Sequence, residues 1–438
     1  VTNIMGNSSF SKNNAYDYGR GGAIYNLAST IITAADGKSI SFSENNAVNQ
    51  GGAIFSGVYT GNNANLVGVG TLDIKTEGTG SVLFTGNTAN YGGALANSGT
   101  ATIIGDAIKF ESNSAKNGGA ISNDGTITMD GAKFSTNSAT SGGVGGGAIY
   151  NTADAQIFLS GNTSFDSNIS TRYGGAIYNA GSIRISNDGD TINFTGNKAN
   201  NESGGAIYNN ATGRLMMMGD GEFVFESNTA KNGGAIYNAG VMSLAGKYLF
   251  QGNQSTNAGG ALYNSSGSVT ISGTRDASGN ASIRFVNNSA GGGTHNGGGA
   301  LFIIGDNTTA SFLDITGVDF EGNSTISHGG AFYLHQNVDF NLIDTKFVGN
   351  RTTITNGQGW GGAIGLGNGR IAGYVENSEF DSNYAGDAGG VIAANTAITF
   401  VNSKFINNSA RFSGGAISYN PQNSSVGKYV KLIADGAD

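Results

Sequence analysis

The chain has 438 residues, 75 of them glycine, with one proline, no cysteine and a formal net charge of −8. Glycine at that level without a Gly-X-Y register excludes collagen, and recurring Phe, Ile and Tyr argue against disorder despite the low charge content. The acidic balance and the lack of a basic run make nucleic acid and anionic lipid poor partners, and no apolar stretch approaches the ~20 residues of a membrane-spanning helix.

Residues 1–25 carry no signal-peptide pattern. The chain starts and stops in mid-pattern, which reads as a mature or excised piece of something longer. From the first residues onward one phrase organises it. Phe-x-x-Asn begins at Phe10, Phe42, Phe84, Phe110, Phe134, Phe165 and Phe194, then at Phe225, Phe250, Phe285, Phe320, Phe347, Phe380 and Phe405. A second phrase, Gly-Gly-Ala followed by an apolar residue, comes after each copy, with Val391 once replacing the Ala. The two never occur out of order. Spacing between successive Phe residues runs from 24 (Phe110 to Phe134) to 42 (Phe42 to Phe84). A fixed core with a variable period means one structural unit per repeat, with insertions looping out of it.

Residues 174–197 show what one repeat builds. Ala176-Ile177-Tyr178, Ile183-Arg184-Ile185 and Ile192-Asn193-Phe194 are three short apolar stretches separated by Asn, Gly and Asp. The last two alternate with period two, the mark of half-buried strands. No window has a helical period. Three strands in 24 to 30 residues, repeated in register, predict one coil of an all-β, right-handed, single-stranded parallel β-helix. Stacking about fourteen coils buries what one coil cannot. Residues 1–438 read as a single such domain, with insertions near 56–80, 289–297 and 351–360.

The fixed residues receive structural roles. Phe stacks in a core column. Asn sits at a turn, tolerates left-handed backbone angles and bonds to the next Asn in a ladder. The Gly pair permits backbone angles forbidden to other residues, or close approach of a neighbouring chain. The Tyr that follows the Gly-Gly-Ala motif and its apolar residue recurs at Tyr25, Tyr150, Tyr178, Tyr208, Tyr237, Tyr263 and Tyr333. It points outward as a surface column if the residue before it points inward, with Tyr150, Tyr178, Tyr208 and Tyr237 in consecutive coils. That column either seals the strand surface, the favoured reading, or binds sugar or protein.

Catalytic chemistry finds little support in this composition. Enzymes on this fold need acidic clusters, for acid/base work or for calcium. The densest pairs here, Asp188-Gly189-Asp190 and Asp220-Gly221-Glu222, lie in turn-like sequence, so solvated turns are the favoured reading over a cation site. Histidines are more suggestive, since His295, His328 and His335 fall close together. His328 directly precedes its Gly pair, and Trp360, the only tryptophan, occupies the same slot one repeat later, about 5 Å away if the coils stack. Tyr91, Tyr173 and Arg20 share that slot. A metal site needs several converging ligands, and His295 and His335 occupy other registers, so no metal is assigned. Trp360, His328, His295, Tyr173 and Tyr91 are the candidate binding residues, because selectivity on a repetitive surface must come from its exceptions.

Fourteen ordered pairs of Phe-x-x-Asn and Gly-Gly-Ala-(Ile/Leu/Val), covering Phe10 to Ile417, resemble the polymorphic outer-membrane proteins of chlamydiae, which are autotransporter adhesins. Phe194, Asn197, Gly204, Gly205, Ala206 and Ile207 and their equivalents carry the resemblance. Members of that family usually contain cysteine, so the likeness is to a passenger domain from a Gram-negative lineage outside the chlamydiae. The resemblance implies a non-enzymatic adhesin without cofactor, displayed outside the cell. Its partner would be a host-cell or bacterial surface protein or glycan, with self-association also open. A C-terminal β-barrel would anchor the full-length protein in the outer membrane. Two alternatives stay open: a β-helix polysaccharide lyase or hydrolase, and a structural module that self-associates.

Overall fold

Short strands follow from the alternation of apolar and polar residues between Gly and Asn breakers, and the computed structural model realises them as parallel ladders. It describes all residues except 58–68, 266–268, 294–295, 306–310, 355–358, 368–370, 395, 421–428 and 435–438. Among the described residues there is no helix. The fold is the expected all-strand parallel β-solenoid of about fourteen coils. The chain divides into two compact units, Val1–Glu222 and Phe223–Asp438, and each holds seven copies of the motif pair.

One coil of the first unit consists of strands Ile177–Asn179, Ser182–Asn187, Thr191–Thr195 and Lys198–Ala199. Each pairs in parallel with the same element of a neighbouring coil: Ile177 with Ile207, Ile183 with Leu215, Phe194 with Phe165 and Ala199 with Ser170. The sequence pattern predicts three of these strands and not the fourth. Only two residues long, it is too short to show a period. Its signal is a recurrent small residue two positions after the motif Asn, as at Ala115, Ala139 and Ala199, all of them buried.

The motif Phe rings form the expected column. In the first unit consecutive rings from Phe10 to Phe194 lie 4.7–4.9 Å apart and within 6° of parallel. In the second unit the same column runs from Phe225 through Phe285 and Phe347 to Phe405 at 4.6–5.3 Å. Phe42 through Phe194 are fully buried, and burying each such side chain stabilises the fold by about 1.5–3 kcal/mol.

The asparagine ladder exists too. The Asn113 side-chain amide donates to Oδ1 of Asn137 (3.0 Å) and to the carbonyl of Phe84 (3.0 Å), while its own Oδ1 accepts from the side chain and backbone N–H of Asn87. Every polar atom of this fully buried side chain is satisfied, as burial requires. The turn geometry differs from expectation. Left-handed angles fall on the residue before the Asn, for example Ser112 (φ 55°), Thr136 (φ 53°) and Gly196 (φ 63°), and not on the Asn itself. The turn is made one residue early so that the amide lies inward, in line with its neighbours.

The glycine pair performs both of its candidate roles, one per residue. Gly174 is left-handed (φ 64°), a conformation that is costly for residues with a Cβ. A Cβ on Gly175 would collide with the carbonyl of Gly205 and the backbone of Lys198.

Candidate functional site

Since scaffold residues are buried, any recognition surface is built from positions free to vary. The residue before each Gly pair is such a position. It reads Arg20, Gln50, Tyr91, Asn117, Gly145, Tyr173 and Ser203 in the first unit, then Asn232, Ala258, Gly297, His328, Trp360, Ala388 and Ser413 in the second. Backbone pairing holds this slot in register. Arg20 bridges Gln50, Gln50 bridges Tyr91, and Gly297 bridges His328. The Gly329 N–H donates to the Trp360 carbonyl (3.0 Å), and the Gly361 N–H to the Ala388 carbonyl (3.0 Å).

In the second unit the slot brings His328 and Trp360 together, with ring centroids 5.1 Å apart, the spacing anticipated from stacked coils. Their environments differ sharply. Trp360 is 45% exposed, whereas His328 is 4% exposed and buried against Tyr333 at 5.4 Å. His328 therefore backs the indole and is not itself a surface anchor. Beneath it the column that follows Gly-Gly-Ala-Ile supplies Tyr263, Phe302 and Tyr333, with centroids 4.7 and 5.5 Å apart. His335 joins this group. Its ring lies 5.8 Å from that of Tyr333, and its Nδ1 is 3.5 Å from the Tyr333 hydroxyl. Burial pushes the Tyr333 phenol up to about 12.

Sequence register alone sets His335 apart from His328 and does not single out Phe302; it places Tyr333 in the outward tyrosine column, whereas the ring is buried, 1% exposed, beneath His328. Period two along Phe332–His335 puts Tyr333 and His335 on one side of the strand, so a signal for the pair is present. His295 lies outside the described residues.

Tyr173 and Tyr91 belong to the first unit, where they flank a different feature. Tyr150, Tyr178 and Tyr208 stack at 5.1 and 5.4 Å. Tyr173 leans onto Tyr208 at 4.5 Å and carries the Arg172 guanidinium on its face at 5.1 Å. At the other end Tyr91 is 40% exposed. It acts electrostatically on Tyr150, whose phenol is raised first by burial and then by Tyr91 and Asp124. The expected outward tyrosine column is thus a half-buried stack, and Tyr178 is only 8% exposed. Rings this close along a ladder cover one another's faces and leave mainly edges to solvent.

Of the two acidic pairs, Asp188–Asp190 lies in the bend between strands Ser182–Asn187 and Thr191–Thr195, as expected. Asp220–Glu222 does not form a turn: it falls within the continuous strand Arg214–Glu226. That strand is held against the bend, since the Asp190 carbonyl accepts from the Glu222 N–H (3.1 Å) and the Asn187 side-chain amide donates to the Glu222 carbonyl (2.9 Å). Among the described residues no group of three His, Cys, Asp or Glu side chains is placed to hold a metal ion.

The profile of the Chlamydia polymorphic membrane protein (Chlamydia_PMP) repeat matches residues 7–27, 39–57, 81–98, 107–124, 162–180, 191–210, 222–239 and 247–265. Each stretch contains one Phe-x-x-Asn and its Gly-Gly-Ala partner. Those eight repeats are of the chlamydial polymorphic membrane protein type. Among similar proteins is a probable outer membrane protein, pmp6, of Chlamydia pneumoniae, 31% identical over 173 residues. That alignment covers 39% of this chain and 12% of the relative. A second, probable outer membrane protein pmp7 of the same organism, is 31% identical over 232 residues, covering 50% of this chain and 24% of the relative. The alignments thus span a quarter or less of these relatives. No solved structure matches the chain significantly. The polymorphic membrane protein repeat accounts for the scaffold of the coils it matches. Its profile matches stop at residue 265, before His328 and Trp360.

Proposed function

We propose that this chain is the surface-displayed, non-enzymatic passenger of an outer-membrane autotransporter, and that it attaches the cell to a protein or glycan on another surface. The observation that carries the reading is the pairing of a half-exposed Trp360 with a buried His328–Tyr333 support on an otherwise amide-rich solenoid. Aromatic anchors held rigidly from below are what concentrate binding energy at interfaces. The outer-membrane names of the two relatives support the location.

Attachment of beads coated with the purified chain to candidate host and bacterial surfaces tests the reading. Trp360→Ser is the variant of choice, because the burial of His328 makes its replacement a stability change as well. Loss of attachment with unaltered melting supports the site. Retained attachment in Trp360→Ser, but loss when the 56–80 insertion is shortened, moves the site to the first unit. A glycan-depolymerisation screen with the same protein tests the absence of enzymatic activity, and any product would overturn it.

A further inference from the structure

In a stacked array each coil interacts with its neighbours, so a bond that skips a coil changes how the stack opens. Arg275, in the second unit, makes one. It lies between strands Val269–Ser272 and Ile283–Val286, in the coil of Phe285. Its Nη2 donates to Asp319 Oδ1 (2.8 Å), in the coil of Phe320. The same nitrogen donates to the carbonyl of Asp344 (2.8 Å), 69 residues away in the coil of Phe347. Its Nε is 3.0 Å from Asp344 Oδ1. The side chains of Arg275 and Asp319 are only 13% and 11% exposed, so salt screens this pair far less than a surface pair. Three successive coils are thus tied by one guanidinium.

The arm that carries it is built to hold its shape. Arg275 and Ala281 bridge antiparallel. At the base the Thr274 N–H donates to Ser282 Oγ (2.9 Å) and the Ser282 N–H to the Thr274 carbonyl (2.8 Å). At the tip Asp276 Oδ1 accepts the N–H groups of Ser278 (2.8 Å) and Asn280 (2.9 Å), and Oδ2 accepts the Asn280 amide (2.9 Å). Arg275 Nη1 donates to the Gly279 carbonyl (3.0 Å), which fixes the guanidinium against its own hairpin. The arm leaves the sheet where two backbones meet. A Cβ on Gly273, or on left-handed Gly317 (φ 62°), would come within 2.4 or 2.7 Å of the other's carbonyl oxygen.

The three coils so joined are those that carry the aromatic cluster. Phe302 follows Phe285, His328 and Tyr333 follow Phe320, and Trp360 follows Phe347. Packed core lies between strap and cluster. Phe320 stacks on Phe285 (5.1 Å) and on Phe347 (4.8 Å). Phe332, the neighbour of Tyr333, meets Phe320 and Phe347 edge-on at 6.0 and 5.6 Å. A shift of one coil against the next would therefore disturb the His328–Trp360 pair.

We propose that Arg275 is a positioning residue: its hairpin is an ionic strap that makes three coils open as one unit and holds the aromatic cluster in register. The strap is independent of what the cluster binds. Hydrogen exchange of the whole chain, resolved by peptide, tests it in the parent protein and in Arg275→Gln. Peptides from the coils of Phe285, Phe320 and Phe347 should exchange together in the parent. In the variant they should exchange about ten-fold faster or more, because a shielded carboxylate has lost its partner. Strand Ser182–Asn187 of the first unit should be unchanged. Trp360 is the only tryptophan, so acrylamide quenching of the intrinsic fluorescence reads the cluster directly, and it should increase in Arg275→Gln. Faster exchange confined to residues 273–282 overturns the proposal, since the hairpin then holds only itself. Equal acceleration in every coil of the second unit also overturns it, in favour of a general stabilising role. Unchanged quenching overturns the positioning of the cluster. Asp344→Asn serves if Arg275→Gln does not fold, because it removes one charge at a half-exposed side chain and keeps the carbonyl bond. It should speed exchange in the coil of Phe347 and leave that of Phe225 as it was. No change in the coil of Phe347 overturns the three-coil span.

Discussion

The first unit and the later coils of the second close the same turn by different chemistry. In the first unit the residue after the Ile-Tyr pair or its equivalent is Asn97, Asn123, Asn151, Asn179 and Asn209 in five consecutive coils. Each side-chain amide donates to the next Oδ1 at 2.7–2.9 Å. The same side chains close their own turns. Asn123 donates to the Gly125 carbonyl (3.1 Å) and accepts from the Gly125 N–H (3.3 Å). The second unit begins this way with Asn238 and Asn264, 2.7 Å apart, and then changes to Ile303, Leu334 and Leu366, all buried.

There the turns are closed by backbone instead. Gly305 donates to the carbonyls of His335 and Gln336, and Gly367 to that of Leu334, with Gln336 and Asn337 left-handed. Strands Leu301–Ile304 and Phe332–His335 are a residue longer than Ile149–Asn151. An amide column makes every coil a valid neighbour for the next, because each donor meets an acceptor, but it prescribes the turn. An apolar column removes that constraint. In the second of these strands the extra residue is His335, beside Tyr333, so the aromatic cluster lies where the ladder has been given up. The family profile stops matching at residue 265, one residue after the last of these asparagines.

The largest test of the comparison concerns what the two regions share. Phe194→Ala should destabilise the chain by about 3–5 kcal/mol, as for a buried aromatic truncation, and Phe347→Ala should do the same in the second unit. Phe10→Ala, at a half-buried terminal ring, should cost much less in urea unfolding. Equal losses at Phe10 and Phe194 would rule out a stacked core.

Next come swaps between the two column types. Leu334→Asn places an amide between Ile303 and Leu366 with no ladder to join, at a cost of about 2–4 kcal/mol in lost burial and unmet hydrogen bonds. Asn151→Leu should cost about 1–3 kcal/mol, because Asn123 loses its acceptor and Asn179 its donor. If Leu334→Asn proves neutral, the columns are interchangeable and the distinction has no energetic content.

A smaller effect, of opposite sign, is expected at Thr136. A β-branched residue at φ 53° is strained, so Thr136→Gly should raise stability by roughly 1 kcal/mol. The same change at Lys198, in a strand, should lower it.

The last effect is absent at neutral pH. Burial raises the phenols of Tyr178 and Tyr263 from 10 to about 12. Folding favours their neutral form, so this stability is complete below pH 10 and is lost as pH rises through 12. Phenolate absorbance should show these tyrosines titrating well after free tyrosine does, with unfolding setting in over the same interval. Ionisation of all tyrosines together near pH 10, without unfolding, would contradict the buried stack.

Sequence alone determined the scaffold. Repetition forces equivalent residues into register, so Phe-x-x-Asn, Gly-Gly-Ala and period-two alternation sufficed to name a parallel solenoid, its phenylalanine core and one asparagine ladder. They also placed His328 next to Trp360. What repetition could not specify was how far each side chain lies from solvent, since that depends on the neighbouring coils. Only the tertiary structure showed His328 and Tyr178 buried, Trp360 half-exposed, and Asp387 clamping the turn from 28 residues away. Short-range pattern fixes register, but exposure and clamping arise from contacts between coils.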